Sequence, residues 1–459
     1  MSSSTITSYD AQRRFFSTES TRDVGYRIKA LKTLKKNLIE QEDAICEALY
    51  ADFKKPKFES LVTETQFVLA ELEHIIKNLG FWVRPKRVGG SLSSFPSRDW
   101  IQYEPFGQVL VISPWNYPFM LALSPVIGAI AAGNTVVLKP SELSPATSKV
   151  LAKLVTDSFA PEHVMVIEGG VAVSQELLSL RWDYIFFTGS TQVGKIVYKC
   201  AAEHLTPVTL ELGGKNPCIV DQSASIKIAA KRIGWGKFLN AGQTCLAPDY
   251  LLVHQSKKEE LVRELIKNIT KSYGSEVETS KDFARIATPK QYERLKAMLA
   301  EGSVLYGGTH NDAERYISPT LIENPSMDSL TMQDEIFGPI LPIFTYENED
   351  EIDAFVSRYD KPLGFYIFSN RKRFQKKLVA RYGFGGGVIN DTVLQIVNKN
   401  LPFGGVGNSG FGGYHAKHSF ELFSHKKAMV KKPLWFELPV RYPPYRFPER
   451  LTKLIRKVI

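Results

Sequence analysis

Residues 108–139 read QVLVISPWNYPFMLALSPVIGAIAAGNTVVLK, and no charged residue precedes the final lysine. Val109–Ile112 and Thr135–Leu138 have the length and the β-branched content of strands that are buried on both faces. Leu121–Ala132 lies between them and is long enough for a helix. The stretch therefore predicts a strand–helix–strand unit with parallel strands.

The same region contains the best candidate for a membrane span, Phe119–Leu138. Pro118 directly precedes it, Pro125 and a Gly133-Asn134 pair interrupt it, and these residues suit a folded core better than a continuous transmembrane helix. We therefore interpret the segment as buried protein.

Strands and helices continue to alternate on both sides of this unit. Downstream we predict a helix over 144–158, a strand over 164–167, a helix over 172–179 and a strand over 184–187, and after Thr209 strands over 217–220 and 250–253 with helices over 225–240 and 256–272. Alternation at this spacing predicts an α/β fold with a doubly wound, Rossmann-type sheet followed by a second α/β unit. Upstream, apolar residues at helical spacing predict an amphipathic helix over 10–50 and a second helix over 57–80.

Composition and charge narrow the classes of function. The 459 residues are 44% hydrophobic and 23% charged, which is ordinary for a globular protein. The net charge is +10, but His425–Ile459 alone holds ten Lys and Arg against two Glu, so the rest of the chain is close to neutral. A nucleic-acid partner is not expected, because such proteins spread basic residues over a folded face.

Four cysteines are scattered without the spacing of disulfides or metal sites. They indicate a reducing compartment, and the polar start of the chain lacks the apolar region of a signal peptide. We expect a cytoplasmic protein without a metal centre.

The basic end of the chain carries a separate hypothesis. Apolar side chains at 451, 454, 455, 458 and 459 alternate with basic ones, which predicts a short amphipathic helix. Such a helix could lie on an anionic membrane surface or dock on the protein itself, and the sequence leaves both open.

Phe187–Lys195 follows a predicted strand and opens a predicted helix. Gly189 and Gly194 at this junction would let backbone amides face a phosphate. A P-loop would require Ser or Thr after Lys195, where Ile196 stands, and the dinucleotide fingerprint lacks its middle glycine. Alone, the stretch could also be a plain strand-to-helix turn.

Lys139 and Glu142 follow the strand 135–138, at the edge where open α/β sheets bind ligands. The pair could bind a cofactor or form a solvated ion pair on a turn.

Three further residue types suit acyl chemistry. Cys245 follows a glycine-containing turn and could be a nucleophile, although a lone cysteine is more often a buried small hydrophobe. Glu211 precedes a glycine pair and could act as a base. Asn116 stands between two prolines, where a rigid amide could stabilise an oxyanion or merely cap a turn.

Taken together, the motifs resemble those of the aldehyde dehydrogenase superfamily over nearly the whole chain. They are Pro114–Pro118, Leu138–Glu142, Phe187–Ser190, Glu211–Lys215, Gly242–Cys245 and Glu335–Pro339. The segments 242–250 and 401–410, with Tyr414-His415 after them, resemble the class 3 branch, which acts on fatty and aromatic aldehydes.

The resemblance implies NAD(P)-dependent oxidation of an aldehyde, of medium or long chain or aromatic, to the carboxylic acid. Cys245 would form a thiohemiacetal and then a thioester, with Asn116 as oxyanion donor and Glu211 as the base for water. The residues implied to bind the cofactor are Trp115, Lys139, Glu142, Gly189, Ser190, Gly194, Leu212, Glu335 and Phe337. Glu142 would repel a 2′-phosphate, so NAD is expected first and NADP tolerated.

The resemblance also implies a domain organisation and a homodimer. It divides the chain into a cofactor domain (1–81 and 102–209), a catalytic domain (210–393), a bridging and oligomerisation element (82–101 and 394–424) and a basic tail (425–459). Two alternatives remain open at this point: a P-loop nucleotide hydrolase, which Ile196 argues against, and a non-catalytic scaffold or membrane-surface binding protein on the same fold.

Overall fold

The computed structural model describes residues 3–437 and 441–444. The helices are α1 (Ser3–Ser17), α2 (Val24–Phe53), α3 (Lys57–Ser60), α4 (Gln66–Trp82), α5 (Met120–Ala132), α6 (Pro145–Ser158), α7 (Val171–Leu178), α8 (Thr191–Ala202), α9 (Ile226–Phe238), α10 (Lys258–Tyr273), α11 (Pro289–Met298), α12 (Leu330–Gln333), α13 (Glu351–Val356), α14 (Lys372–Arg381) and α15 (Lys417–Leu422). The strands are β1 (Lys86–Val88), β2 (Arg98–Pro105), β3 (Gln108–Ile112), β4 (Thr135–Lys139), β5 (Val164–Val166), β6 (Tyr184–Thr188), β7 (Val208–Glu211), β8 (Pro217–Val220), β9 (Tyr250–His254), β10 (Ser303–Tyr306), β11 (His310–Asn311), β12 (Tyr316–Ile317), β13 (Thr320–Glu323), β14 (Ile340–Tyr346), β15 (Gly364–Phe368), β16 (Gly386–Ile389), β17 (Gly410–Phe411) and β18 (Ser424–Lys431).

The first sheet has the strand order β5-β4-β3-β6-β7-β17. All its neighbours are parallel except β17, which runs antiparallel to β7. The chain winds outward in one direction from β3 and in the other from β6, so the order reverses between these two strands. This reversal creates the crevice in which open α/β sheets bind ligands, and it confirms the predicted doubly wound sheet.

The strand–helix–strand unit that opened the sequence analysis forms the middle of this sheet. All residues of β3, α5 and β4 are buried, and Pro125 sits inside α5. None of the described helices combines the length and the apolarity that crossing a bilayer would require.

The second sheet has the order β10-β13-β14-β9-β8-β15-β16 and is parallel except for β10. It follows directly after the first sheet in sequence, because β7 ends at Glu211 and β8 begins at Pro217. The crossing between the two sheets therefore lies at residues 212–216, beside the predicted base.

β1, β2 and β18 form a third, antiparallel sheet that shares no strand with the first two. β18 pairs with β2 from Ser424 to Lys431, and both faces of β1 are exposed. The domain boundaries drawn from the sequence stay a prediction. The amphipathic segment predicted for residues 451–459 lies outside the described residues.

The prediction of one helix over 10–50 is wrong near residues 18–23. Asp23 accepts hydrogen bonds from the backbone N–H groups of Gly25 and Tyr26 and so begins α2 as a new helix. Glu19 before it adopts a left-handed φ of 62°, which ends the preceding helical path. The predicted helix over 57–80 is present as α3, a π-helical turn at Leu61–Thr65, and α4.

Candidate active site

Cys245 lies in the loop that joins α9 to β9, and its side chain is partly buried. The residues Asn240, Ala241 and Gly242 before it have positive φ angles of 54°, 52° and 73°. A Cβ atom at position 242 would lie 2.3 Å from the carbonyl oxygen of Gly338. A positive φ raises the conformational free energy of residues other than glycine, here Asn240 and Ala241. Neighbouring groups must therefore hold the loop in this conformation.

Gln243 supplies much of that support and was not singled out from the sequence. Its side-chain Nε2 donates to the carbonyl oxygens of Asn240 (3.1 Å) and Arg285 (3.0 Å), and its Oε1 accepts from the N–H of Ala287 (2.9 Å). The thiol-bearing loop is thereby fixed to residues 285–287, which precede α11.

Asn116 lies against the same loop, as its predicted role requires. Its Nδ2 donates to the carbonyl oxygen of Gln243 at 3.1 Å, and its own carbonyl oxygen accepts from Nδ2 of Asn240 at 2.9 Å. A side-chain amide has two N–H donors, so one remains for an oxygen of a substrate.

Glu211 ends β7 and is only 2% exposed. Neither carboxylate oxygen has a hydrogen-bond partner among the described residues. Burial raises the pKa of Glu211 well above its usual range. Because the buried carboxylate makes no hydrogen bond to the described part of the chain, a structural role does not explain its presence in the interior. A raised pKa, in contrast, suits a base that must take a proton from water.

The thiol of Cys245 has a raised pKa in this arrangement. Burial is the largest cause, and the carboxylates of Glu335 and Glu211 add to it, while the N–H groups of Cys245 and Leu246 act in the opposite direction. This shift favours the thiol over the thiolate. Both carboxylates lie close enough to the sulfur to influence it, and either a cation or proton transfer to a base must produce the thiolate.

Glu335 approaches the thiol from the loop between α12 and β14. Its Oε2 lies 1.9 Å from the place that a Cβ atom at Gly213 would occupy, so a side chain at position 213 would displace the Glu335 carboxylate. Burial raises the pKa of Glu335 well above its usual range, and Asp249 and Asp334 add to the shift. Phe337 packs edge-to-face on Trp115, with ring centroids 5.4 Å apart.

At the crevice of the first sheet, Lys139 and Glu142 form an ion pair. Lys139 Nζ lies 2.6 Å from Glu142 Oε2, and the lysine side chain is buried while the glutamate side chain is 37% exposed. The pair stands at the carboxyl end of β4, beside the point where the strand order reverses. The ion pair expected from the sequence is present, but its lysine is buried and not solvated, and a role of the two residues in cofactor binding stays a prediction.

The N–H groups of Gly189 and Gly194 are both used in hydrogen bonds within the protein, so a phosphate contact from these two amides does not fit, while cofactor binding at this turn stays a prediction. The N–H of Gly189 donates to the carbonyl oxygen of Glu211 at 3.0 Å, and that of Gly194 donates to Ser190 at 2.9 Å. Gly194 is needed for packing, since a Cβ atom there would lie 2.8 Å from Leu212. The Ser190 hydroxyl caps α8, and the first-turn amides of α8 are what remains for an anion.

The described residues fit a dinucleotide at this crevice. Val193 and Ile196 on α8 are exposed apolar side chains, 43% and 55% accessible, beside the helix start that would receive the phosphates. They offer an apolar surface to a flat base, and Lys139 and Glu142 offer polar contacts to a sugar.

A buried ion pair between Lys215 and Asp249 also escaped the sequence analysis. The Nζ–Oδ2 distance is 2.5 Å and both side chains are 3% exposed. Lys215 also donates to the carbonyl oxygens of Thr331 and Asp334, and Asp249 accepts from the N–H of Ile336. The pair thus fixes the loop that carries Glu335. Its signal was the lysine directly after the glycine pair of Glu211–Lys215.

No cluster of three or more His, Cys, Asp or Glu side chains within residues 3–437 and 441–444 is arranged to hold a metal ion. The candidate site therefore consists of a thiol, an amide donor and buried carboxylates beside a crevice for a dinucleotide. Such a set can carry out covalent acyl chemistry.

Comparison with known proteins identifies a family. The model of the aldehyde dehydrogenase family matches residues 7–429. The 4,4'-diaponeurosporen-aldehyde dehydrogenase of Staphylococcus aureus is 47% identical over 440 residues, which are 95% of this chain and 96% of the relative. The dimeric NADP-preferring aldehyde dehydrogenase of Rattus norvegicus is 43% identical, with 94% of this chain and 96% of the relative covered.

A solved structure agrees with these relatives. The substrate-bound aldehyde dehydrogenase of Staphylococcus aureus superimposes with a TM-score of 0.96 at 45% identity, covering 98% of this chain and 99% of that one.

Proposed function

The chain belongs to the aldehyde dehydrogenase family and resembles its class 3 members, and from this premise we propose that it oxidises an aldehyde with a long aliphatic or an aromatic tail to the carboxylic acid. Aldehyde oxidation with NAD or NADP is the reaction of the family, so the chain is an oxidoreductase of that class. The residue roles, the substrate and the cofactor preference are the proposal.

One observation carries the residue roles. Cys245, Asn116 and Glu211 come from three distant parts of the chain and from both large sheets, yet Asn116 is hydrogen-bonded to the loop of Cys245 and Glu211 acts electrostatically on its thiol. A nucleophile, an oxyanion donor and a base at one place are the parts that acyl transfer needs.

In the first half-reaction, Cys245 Sγ attacks the aldehyde carbon and a thiohemiacetal forms. The free N–H of the Asn116 amide and the backbone N–H of Cys245 stabilise the developing oxyanion, and losing one such donor typically raises a barrier by about 3–4 kcal/mol. A nicotinamide held beside Trp115, Glu335 and Phe337 would supply the acceptor for the hydride, and loss of the hydride from the thiohemiacetal would leave Cys245 as a thioester.

In the second half-reaction, Glu211 takes a proton from water, and the hydroxide that results attacks the thioester carbon. The C–S bond breaks, the carboxylic acid leaves and the cysteine is regenerated. The raised pKa of Glu211 makes its carboxylate a stronger base than one in water. Because this base is present, we favour hydrolysis over transfer of the acyl group to coenzyme A.

For the cofactor, we propose NAD first with NADP accepted. Glu142 would repel a 2′-phosphate, which favours NAD. Its ion pair with Lys139 offsets that charge, and its partial exposure leaves it room to turn away. The rat relative is named as NADP-preferring.

For the substrate, a cavity of about 240 Å³ supports an extended apolar tail. Its lining includes Val62, Phe67, Ala70, Ile396 and Val397, and His415 forms part of its wall. Tyr414, next to His415, lies near both Glu211 and Cys245, since the charges of these groups act on its hydroxyl. The Staphylococcus aureus relative is named for an aldehyde of the diaponeurosporene type, which also supports a long tail.

The test is cofactor reduction, followed by near-ultraviolet absorbance with both cofactors and with short, long-chain and aromatic aldehydes. We expect activity that rises with tail length and disappears in C245S. Full activity in C245S would overturn the nucleophile, and equal rates for short and long aldehydes would overturn the substrate proposal.

We further propose a cytoplasmic homodimer. Its support is the rat relative named as dimeric, the exposed sheet of β1, β2 and β18, and four cysteines that all remain unpaired. Sedimentation equilibrium should give twice the mass of 51.6 kDa, and a monomer at micromolar concentration would contradict the assembly.

A further inference from the structure

Glu59 lies in α3, far in sequence from Asn116, Glu211 and Cys245. Its Oε2 accepts a hydrogen bond from the backbone N–H of Asn240 at 3.1 Å, across a separation of 181 residues. Asn240 is the first of the three residues with positive φ before the candidate nucleophile. A carboxylate from the N-terminal helices thus holds the start of the strained loop.

Asn240 connects this contact to two functional groups. Its Nδ2 donates to the carbonyl oxygen of Asn116 at 2.9 Å and to that of Gln243 at 3.2 Å. Asn116 in turn donates to the same Gln243 oxygen. A shift of Asn240 would therefore move both the thiol loop and the amide that faces the developing oxyanion.

We propose that Glu59 is a positioning residue for the reaction: by holding the Asn240 N–H, it sets the separation between Cys245 and the Asn116 amide. This inference rests on the proposed function, because it assigns no role to Glu59 unless Cys245 is the nucleophile. Other side chains described above, such as Gln243, also hold the loop by hydrogen bonds. Among them Glu59 is the one that can change its charge.

The surroundings of Glu59 are ionisable on several sides. Burial raises its pKa to about 7, and the ammonium of Lys55 and the N–H of Asn240 act against that rise, while Asp282 adds to it. The charge of Glu59 also acts on the hydroxyls of Tyr117 and Tyr273 and raises their pKa values. Above pH 7 the ionised carboxylate is the stronger acceptor for the amide, and below it the protonated acid holds the loop less firmly.

The variants E59Q and E59A separate this role from packing. Gln keeps an acceptor for the Asn240 N–H but cannot ionise, whereas Ala removes the acceptor. E40Q is the matched control, because Glu40 is an exposed carboxylate on α2. Steady-state kcat and KM from pH 6 to 9, the rate at which iodoacetamide alkylates Cys245, and the thermal midpoint would be measured for each full-length protein.

We expect E59A to lower kcat by about tenfold or more, since small misplacements of reacting groups have effects of that size, with KM for the cofactor unchanged. We expect E59Q to retain most activity at pH 6 and to lose the rise in kcat near pH 7. E40Q should match the parent protein.

An E59A protein with unchanged kcat, pH profile and alkylation rate would overturn the proposal, and so would a lowered thermal midpoint as the sole effect. Parallel measurement of C245S distinguishes failure of the proposed function from failure of the role of Glu59. Full activity in C245S would overturn the proposed function. An inactive C245S together with an unaffected E59A would overturn only the role of Glu59.

Discussion

At the scale of single residues, the buried carboxylate of Glu211 gives the sharpest test of the two half-reactions. In E211Q we expect one equivalent of reduced cofactor to form rapidly, followed by turnover slowed by about 10²–10⁴-fold, because water loses its base while the attack by Cys245 remains. Stopped-flow absorbance separates the two phases. A steady-state rate equal to that of the parent would show that Glu211 is not the base.

The same residue predicts a pH dependence. Glu211 must be ionised to accept a proton, and its folded pKa lies above the usual range. Deacylation should therefore accelerate as pH rises through that raised pKa and slow as pH falls below it, and E211Q should lack this rise. An identical rise in E211Q would assign it to another group.

Gly242 tests the conformation of the loop itself. G242A places a Cβ atom 2.3 Å from the Gly338 carbonyl oxygen at a φ of 73°, so we expect a loss of about 1–3 kcal/mol in the free energy of unfolding, together with much reduced activity. G80A is the control: Gly80 lies in α4 with open space around it, and alanine there should stabilise the helix by about 0.5–1 kcal/mol. Urea unfolding measures the free energy of unfolding of both variants. Equal changes in G242A and G80A would contradict the argument that the loop at Gly242 is strained.

At the scale of elements, the Lys215–Asp249 pair joins the crossing between the sheets to the loop of Glu335. K215M leaves a buried carboxylate without its cation, so we expect a loss of about 3–5 kcal/mol in the free energy of unfolding and a raised KM for the cofactor. The double variant K215M/D249L removes both charges, and its free energy of unfolding should fall by less than that of K215M. A double variant as unstable as the sum of the single variants would mean that the two charges act independently.

Elements were predictable from the sequence where one local pattern decided the structure. The apolar runs that became β3, β4 and β6 are buried on both faces, and no competing interpretation fits them. The break at Asp23 was missed because the apolar residues at helical spacing, Ile28 to Leu49, all lie after it, and the predicted helix was extended back to residue 10 without such a pattern. A single side-chain cap at Asp23 decides the boundary.

For the site, the sequence indicated the residue types but not their partners. Cys245, Asn116 and Glu211 stood out as motifs. The contacts of Gln243, Lys215 and the glycine amides depend on tertiary distances that no local pattern encodes.

At the scale of the whole molecule, most of the +10 charge comes from the C-terminal part of the chain, where His425–Ile459 contributes ten basic residues against two acidic ones. We propose a peripheral, salt-sensitive contact of this end with anionic membranes. Truncation at Tyr445 should reduce co-sedimentation with phosphatidylserine vesicles, and the parent should lose its binding in high salt. Equal binding of both proteins would refute the membrane contact, and the catalytic rate serves as the control for folding.

The loop before Cys245 is completed by partners spread from Glu59 to Gly338. During biosynthesis, the nucleophile therefore emerges well before the last of these partners leaves the ribosome. Contacts between residues so distant in sequence form late, because chain closure must precede them. A refolding protein should regain its helical circular dichroism before its catalytic rate. The delay between the two signals would measure the time between formation of the helices and formation of the tertiary contacts around Cys245.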